Sequence, residues 1–214
     1  MPEIRDRTKT WSLLLAMFVA GACALSYEYT LSKLSTDLLG HSTRQWALTI
    51  GIMLLAMGLG ADYQKRFSDQ RVIFVFLLVE VLLAFLGGFS PWVLLWSFSA
   101  LQSQFVILQF GMIFIIGFLI GIELPLILRI NQQYVKDLKG NLASVFKYDY
   151  IGSFLGSILW TYVLLEIFSI IETALVLGLA NWLIAQVTFL IFAKDMNFPW
   201  GKKFLIVSLI VSCG

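Results

Sequence analysis

The sequence predicts an all-α polytopic transmembrane bundle, with six complete helical spans and part of a seventh. Three observations predict it. Of 214 residues, 59% are hydrophobic and only 13% charged, against about 25% charged in a soluble domain. The apolar residues fall in runs long enough to cross hydrocarbon. The polar segments between those runs alternate between rich and poor in Lys and Arg, as the positive-inside rule demands. Residues 1–214 are thus read as a single integral membrane domain.

The elements follow in order. Residues 1–10 are polar and carry Arg5, Arg7 and Lys9. The first span is about 11–31, followed by a polar segment 32–45 holding the lone histidine, His41. The second span is 46–61, and the segment after it carries Lys65, Arg66 and Arg71. An apolar run covers 72–101 and contains Gly87-Gly88-Phe89-Ser90-Pro91, which should bend or break a helix. Spans at 105–128, 142–165 and 173–193 complete the set of six. The hinge at 129–141 carries Arg129, Lys136 and Lys139, and the segment 194–203 carries Lys194, Lys202 and Lys203.

Charge parity decides the run 72–101. Trp92–Leu101 alone is ten residues, about 15 Å of helix against about 30 Å of hydrocarbon. The basic segments 62–71 and 129–141 belong on one side, so two crossings lie between them. Residues 72–101 are therefore one long, kinked span, and the N-terminus lies in the cytoplasm. The last run, 204–214, has eleven residues, about 16 Å of helix. It reads as a seventh span cut short by truncation of the chain.

Four acids fall inside spans: Glu28, Glu80, Glu123 and Asp149. A carboxylate at the bilayer centre costs on the order of 2.5–3.5 kcal/mol on insertion scales, so such residues face the bundle interior and take partners. The one lysine deep in a span, Lys147, cannot neutralise four acids. Glu123 and Asp149 are the foremost candidates for a cation site, with Glu80 and Glu28 next. Tyr148 and Tyr150 flank Asp149, and aromatic faces attract cations. The plainer alternative has each acid accepting a hydrogen bond from a neighbouring helix, with the tyrosines as interfacial anchors. The two cysteines, Cys23 and Cys213, show neither a disulfide framework nor metal-ligand spacing. No metal, cofactor or nucleic-acid partner is expected.

Glycines mark the close-packing faces. Gly117 and Gly121 are four apart, as are Gly152 and Gly156, the step at which two helices approach closely. Asp149, Gly152 and Gly156 share one helix face. Spans four and five are expected to pack there and to bring Glu123 beside Asp149. Pro125 removes the donor for the Gly121 carbonyl, which leaves a free carbonyl near the Glu123 carboxyl.

Several stretches carry a family resemblance. Gly21-Ala-Cys-Ala-Leu-Ser-Tyr-Glu-Tyr, then LLGHSTRQWALTIGIMLLAMGLGADYQKR, GIELPLILR at 121–129 and NLASVFKYDYIGSFLGS at 141–157 resemble the N-terminal multi-span region of bacterial membrane-bound spermidine synthases, the polyamine aminopropyltransferases. The resemblance covers most of 12–200. It implies location in a bacterial inner membrane, and a membrane region preceding a soluble domain that moves an aminopropyl group from decarboxylated S-adenosylmethionine to putrescine. No Gly-rich nucleotide site follows, so the expectation is a chain without its own catalytic domain. Glu28, Glu123 and Asp149 fall on matching motif positions.

Three readings of function stand together. The chain is a membrane anchor that also binds or conducts polyamines or another organic cation. Or it is half of a secondary transporter of the major-facilitator type, working as a dimer, since Gly58-Leu-Gly-Ala-Asp62-Tyr-Gln-Lys65-Arg66 resembles that family's loop between spans two and three. Or it is a purely structural anchor. The partners expected are the lipid bilayer, a polyamine ligand, and either a second copy or a separate soluble aminopropyltransferase domain.

Overall fold

The computed structural model describes residues 2–193, with side chains from Arg7 onward. The expected partial span 204–214 lies outside the described residues. Every regular element among them is helical: α1 (Pro2–Leu39), α2 (Ser42–Tyr63), a 3-10 turn (Gln64–Arg66), α3 (Val72–Ala100), α4 (Phe105–Gln132), α5 (Leu138–Leu159), a π turn (Trp160–Leu164), α6 (Leu165–Ile167) and α7 (Ile170–Phe192). Six helices are long and apolar enough to cross a membrane, with α5, the π turn and α6 forming one of them.

Helix ends run past the apolar runs. The first span was expected over 11–31, yet α1 continues to Leu39. Ser32–Leu39 is polar but not a loop. Ser35 Oγ donates to Leu31 O at 2.6 Å, Thr36 Oγ1 to Ser32 O at 2.9 Å, and Lys33 pairs with Asp37 at 2.9 Å. These bonds satisfy the polar groups within the helix, so a fall in hydropathy does not stop it. The break is two residues, Gly40 at φ 73° and His41 at φ 52°, both left-handed. A residue in that region ends a helix and lets the chain reverse at once.

Residues 72–101 do form one span. α3 runs unbroken from Val72 to Ala100 with Pro91 inside it. Proline removes the donor for the Gly87 carbonyl. Ser90 Oγ donates to that carbonyl at 2.7 Å and takes the missing N–H's place. Gly87 and Gly88 serve packing: a Cβ at 87 would stand 2.6 Å from the Tyr27 ring, and one at 88 would stand 3.4 Å from Gly178 Cα on α7.

The helices pack in three pairs: α1 with α5, α2 with α4, and α3 with α7. α1 also touches α2, α4 and α7, so it is the central post. This corrects the expected pairing of the glycine steps. Spans four and five touch only lightly. Gly152 lies on the Phe18 backbone, and a Cβ at Gly156 would stand 2.6 Å from Ala22 Cα, both on α1. Gly121 lies on the Met57 backbone, and a Cβ at Gly117 would stand 3.1 Å from Met53 Cα, both on α2. A small-xxx-small step states that something approaches closely; it does not say which helix.

The hinge between α4 and α5 is short and tied. Asn141 Nδ2 donates to Leu128 O at 3.1 Å and to Gln132 Oε1 at 2.9 Å, while Asn131 Nδ2 donates to Asn141 Oδ1 at 2.8 Å. Asp137 caps α5, accepting from the Lys139 and Gly140 amides. On the other side of α4, Arg129 reaches the loop after α2, donating to Gln64 O, Gln64 Oε1 and Phe67 O, and pairing with Asp69.

Candidate functional site

Four helices leave a cavity of ≈ 310 Å³ between them, lined from α1, α2, α4 and α5. On α1, Ala20, Ala24 and Glu28 follow one another at four-residue steps, so one face carries two small residues and then a carboxyl. The small side chains leave the space; Glu28 closes one end of that face. α4 contributes Ile120, Glu123 and Leu124, and α5 contributes Asp149, Tyr150 and Ser153. Met17, Met53 and Met57 supply flexible, polarizable wall.

Three of the four intramembrane acids thus share one cavity, from three different helices. Glu123 is 2% exposed, and its Oε1 has no hydrogen-bond partner. Among the described residues the ion pairs are Lys33–Asp37, Lys65–Asp62 and Arg129–Asp69; none reaches Glu28, Glu123 or Asp149. Lys147 does not neutralise its neighbour: it is exposed and sits 5.3 Å from the centroid of the Tyr148 ring. Asp149 is held against α1 at Gly21, and Ser153 Oγ donates to Gly21 O at 3.1 Å. The contact is possible because Gly21 has no side chain.

The expectation that Glu123 comes near Asp149 therefore meets a different route. Both line the same cavity, but through α1 and α2, each glycine step being docked on one of those helices. Glu80 lies outside the cavity, on α3. It is fully buried, and neither carboxyl oxygen has a hydrogen-bond partner. It stands within electrostatic range of Glu123, as do Cys23 and Tyr27. Tyr27 donates to Leu83 O at 3.3 Å, not to a carboxyl.

The two tyrosines separate. Tyr150 lines the cavity and is 64% exposed. Tyr148 lies in a different hollow with Trp11, Leu15 and Phe18, its ring edge-on to Trp11 at 6.1 Å. Of the packing residues, Pro125 sits within continuous α4. Sequence reasoning missed Gly21, Ser153 and the three methionines as parts of the site. The four-step spacing of Ala20, Ala24 and Glu28 was the available signal; nothing local marks the methionines.

Arranged so, the cavity offers several acceptor groups, an aromatic face at the rim and deformable apolar walls. Its volume is at the low end for small-molecule sites, which run to about 300–1,000 Å³.

Comparisons with known proteins bear on this bundle as a whole. No family model matches the chain, and no solved structure matches it. "Polyamine aminopropyltransferase 2" of Aquifex aeolicus (strain VF5) is 38% identical over 171 residues, covering 79% of this chain and 34% of the relative. "Polyamine aminopropyltransferase 1" of Streptomyces coelicolor (strain ATCC BAA-471 / A3(2) / M145) is 35% identical over 170 residues, 79% of this chain and 32% of the relative. "Polyamine aminopropyltransferase 2" of Ralstonia nicotianae (strain ATCC BAA-1114 / GMI1000) is 30% identical over 185 residues, 86% of this chain and 36% of the relative. The chain spans about a third of the length of the curated relatives it matches. Over about four-fifths of its length, this chain is homologous to a part of the polyamine aminopropyltransferases, as its motifs resemble the membrane region of spermidine-synthase-like proteins.

Proposed function

We propose that this bundle is the membrane region of a spermidine-synthase-like protein, and that it holds a polyamine or similar organic cation in the cavity between α1, α2, α4 and α5. The single observation that carries the reading is the convergence of Glu28, Glu123 and Asp149 on one cavity, with no ion pair to any of them among the described residues. Uncompensated carboxyls in hydrocarbon need a counter-charge. A flexible polycation supplies several, spaced along a chain of methylenes. Its ammonium groups would pair with the carboxyls, and the methionine walls would cover its methylenes. The rim tyrosine, Tyr150, would offer a π face. The relatives are named for polyamine chemistry, which makes this ligand class the natural one to test.

On this reading the aminopropyl transfer belongs to a soluble aminopropyltransferase domain, and the bundle anchors and supplies it. The bundle lies in a bacterial inner membrane with its N-terminus in the cytoplasm, a topology supported by the alternation of basic segments. Equilibrium binding of radiolabelled spermidine to the chain in nanodiscs tests the reading. Saturable binding is expected, and at least a tenfold weaker Kd in a Glu123→Gln, Asp149→Asn double variant. Binding unchanged in that variant would leave only an anchor.

One observation favours a second reading, half of a secondary transporter. Exchanging the first three spans with the last three in order maps the pair α1/α5 onto α4/α2, and α3/α7 onto itself. That is the pairing an inverted repeat produces. Uptake of radiolabelled spermidine into proteoliposomes, against binding without uptake, separates the two.

A further inference from the structure

α2 and α5 are the odd members of the bundle. Only 22% of each is buried, against 61% of α3 and 50% of α7. A helix that faces lipid on most sides should be the most apolar, because lipid offers polar groups nothing. Here the order is reversed: mean hydropathy is 1.4 for both α2 and α5, but 2.7 for α3 and 2.0 for α7.

The residues on the free faces make the contrast concrete. α3 turns outward Phe85, Phe89, Trp92 and Trp96, and α7 turns outward Leu175, Leu179, Leu183 and Leu190. Those are lipid faces. α5 turns outward Lys147, Tyr150, Thr161 and Tyr162, along with Phe154 and Ile158. α2 turns outward Ala47, Gly51 and Gly58. A Cβ at Gly51 or Gly58 would meet nothing within 4 Å. Glycine inside a helix costs about 1 kcal/mol relative to alanine, and no contact within this chain uses the space these two leave. A small-residue stripe on one helix, left open, is the groove another helix fills in a membrane.

Both helices also border the cavity, α2 through Met53 and Met57, and α5 through Asp149 and Tyr150. The cavity's rim is therefore part of the same free surface. Charge adds the occupant. Each chain carries an exposed lysine, Lys147, with no ion pair among the described residues, next to unneutralised carboxyls at Glu28 and Asp149. A surface bearing both signs is complementary to itself under a two-fold rotation, the commonest symmetry of homo-oligomers.

We propose that the α2/α5 face docks a second copy of this chain, and that the carboxyl-lined cavity is closed at its rim by that copy. The inference does not rest on what the cavity holds. In a pair, the open groove at Gly51 and Gly58 receives a helix, Lys147 meets carboxyls across the interface, and Tyr150 becomes buried.

The test is the mass of the ligand-free 214-residue chain in nanodiscs, read by native mass spectrometry, for wild type and for a Gly51→Trp, Gly58→Trp variant. Both positions face open space in the single chain, so the tryptophans leave its fold intact while filling the groove. Two copies are expected for wild type, with at least a tenfold loss of the two-copy species in the variant. Bismaleimide cross-linking on a Cys23→Ala, Cys213→Ser background locates the interface. Phe154→Cys should cross-link between copies, and Trp96→Cys on α3 should not. A single copy for wild type would overturn the proposal, because the face is then covered by lipid. So would a pair that survives both tryptophans, one that cross-links through Trp96→Cys, or capture of a different protein in place of a second copy.

Discussion

Asp149 of α5 lies directly on Gly21 of α1: a Cβ at position 21 would stand 2.5 Å from the Asp149 carbonyl oxygen and 2.6 Å from its Oδ1. The contact aims a carboxyl into the cavity and sets the spacing of the central pair of helices. Gly21→Ala should force these groups apart. Overpacking of this kind costs about 1–3 kcal/mol, so the unfolding midpoint in nanodiscs should fall. Gly58→Ala, where a Cβ meets nothing, should leave the chain unchanged or stabilise it by up to about 1 kcal/mol. Equal effects at the two positions would contradict the packing described.

Ser90 and Pro91 form a compensated defect. Ser90 Oγ donates to the carbonyl that the proline leaves without a helical donor. Ser90→Ala should cost about 1 kcal/mol. In a Pro91→Ala background, where the backbone N–H returns, the same change should cost much less. A double-mutant cycle by thermal or denaturant unfolding reads the difference; a cycle with no coupling would show the hydroxyl to be idle.

Arg129 pins the loop after α2 to the inner end of α4 through Gln64, Phe67 and Asp69. A lysine cannot reproduce a planar fork of five donors. Arg129→Lys should loosen the loop and raise the rate of tryptic cleavage at Lys65 and Arg66 several-fold. An unchanged rate would mean the loop is held by something else. The cavity lies on other residues, so ligand binding should be retained.

Glu80 and Glu123 separate site from scaffold. Both are buried and both have carboxyl oxygens without a hydrogen-bond partner, but only Glu123 lines the cavity. Glu123→Gln should weaken polyamine binding by about tenfold or more, the worth of a charge-assisted contact. Glu80→Gln should change it by about threefold or less, through the weak field of a more distant charge. Equal losses in the two variants, measured by equilibrium binding, would contradict the boundaries of the site.

The six spans were legible because hydropathy and basic-residue parity are properties of single segments, and each could be read alone. The single span at 72–101 was legible for the same reason, although the part played by Ser90 was not. What could not be read was pairing. Gly152, Gly156, Gly117 and Gly121 each announced a close approach, yet whether α5 docks on α4 or on α1 depends on how all six helices share space. Asp149 and Glu123 were picked correctly as companions of one cavity, but Gly21, which makes room for Asp149, is indistinguishable in sequence from any other glycine in a span. The end of α1 was misplaced because polar residues at Ser32–Leu39 signal a membrane boundary, not a helix terminus. Lys147 was read as a deep cation; its position on the exposed side of α5 depends on the helix's rotation, which composition does not fix.

The central claim is that the carboxyls of this cavity are occupied by an organic polycation. A hydrophobic carbodiimide labels carboxyls inside membranes, and peptide mass spectrometry locates each label. With the chain in nanodiscs, spermidine should suppress labelling at Glu123 and Asp149, and sodium chloride of equal ionic strength should not. Labelling of both acids at the same rate with and without spermidine, or protection by the salt alone, would contradict it.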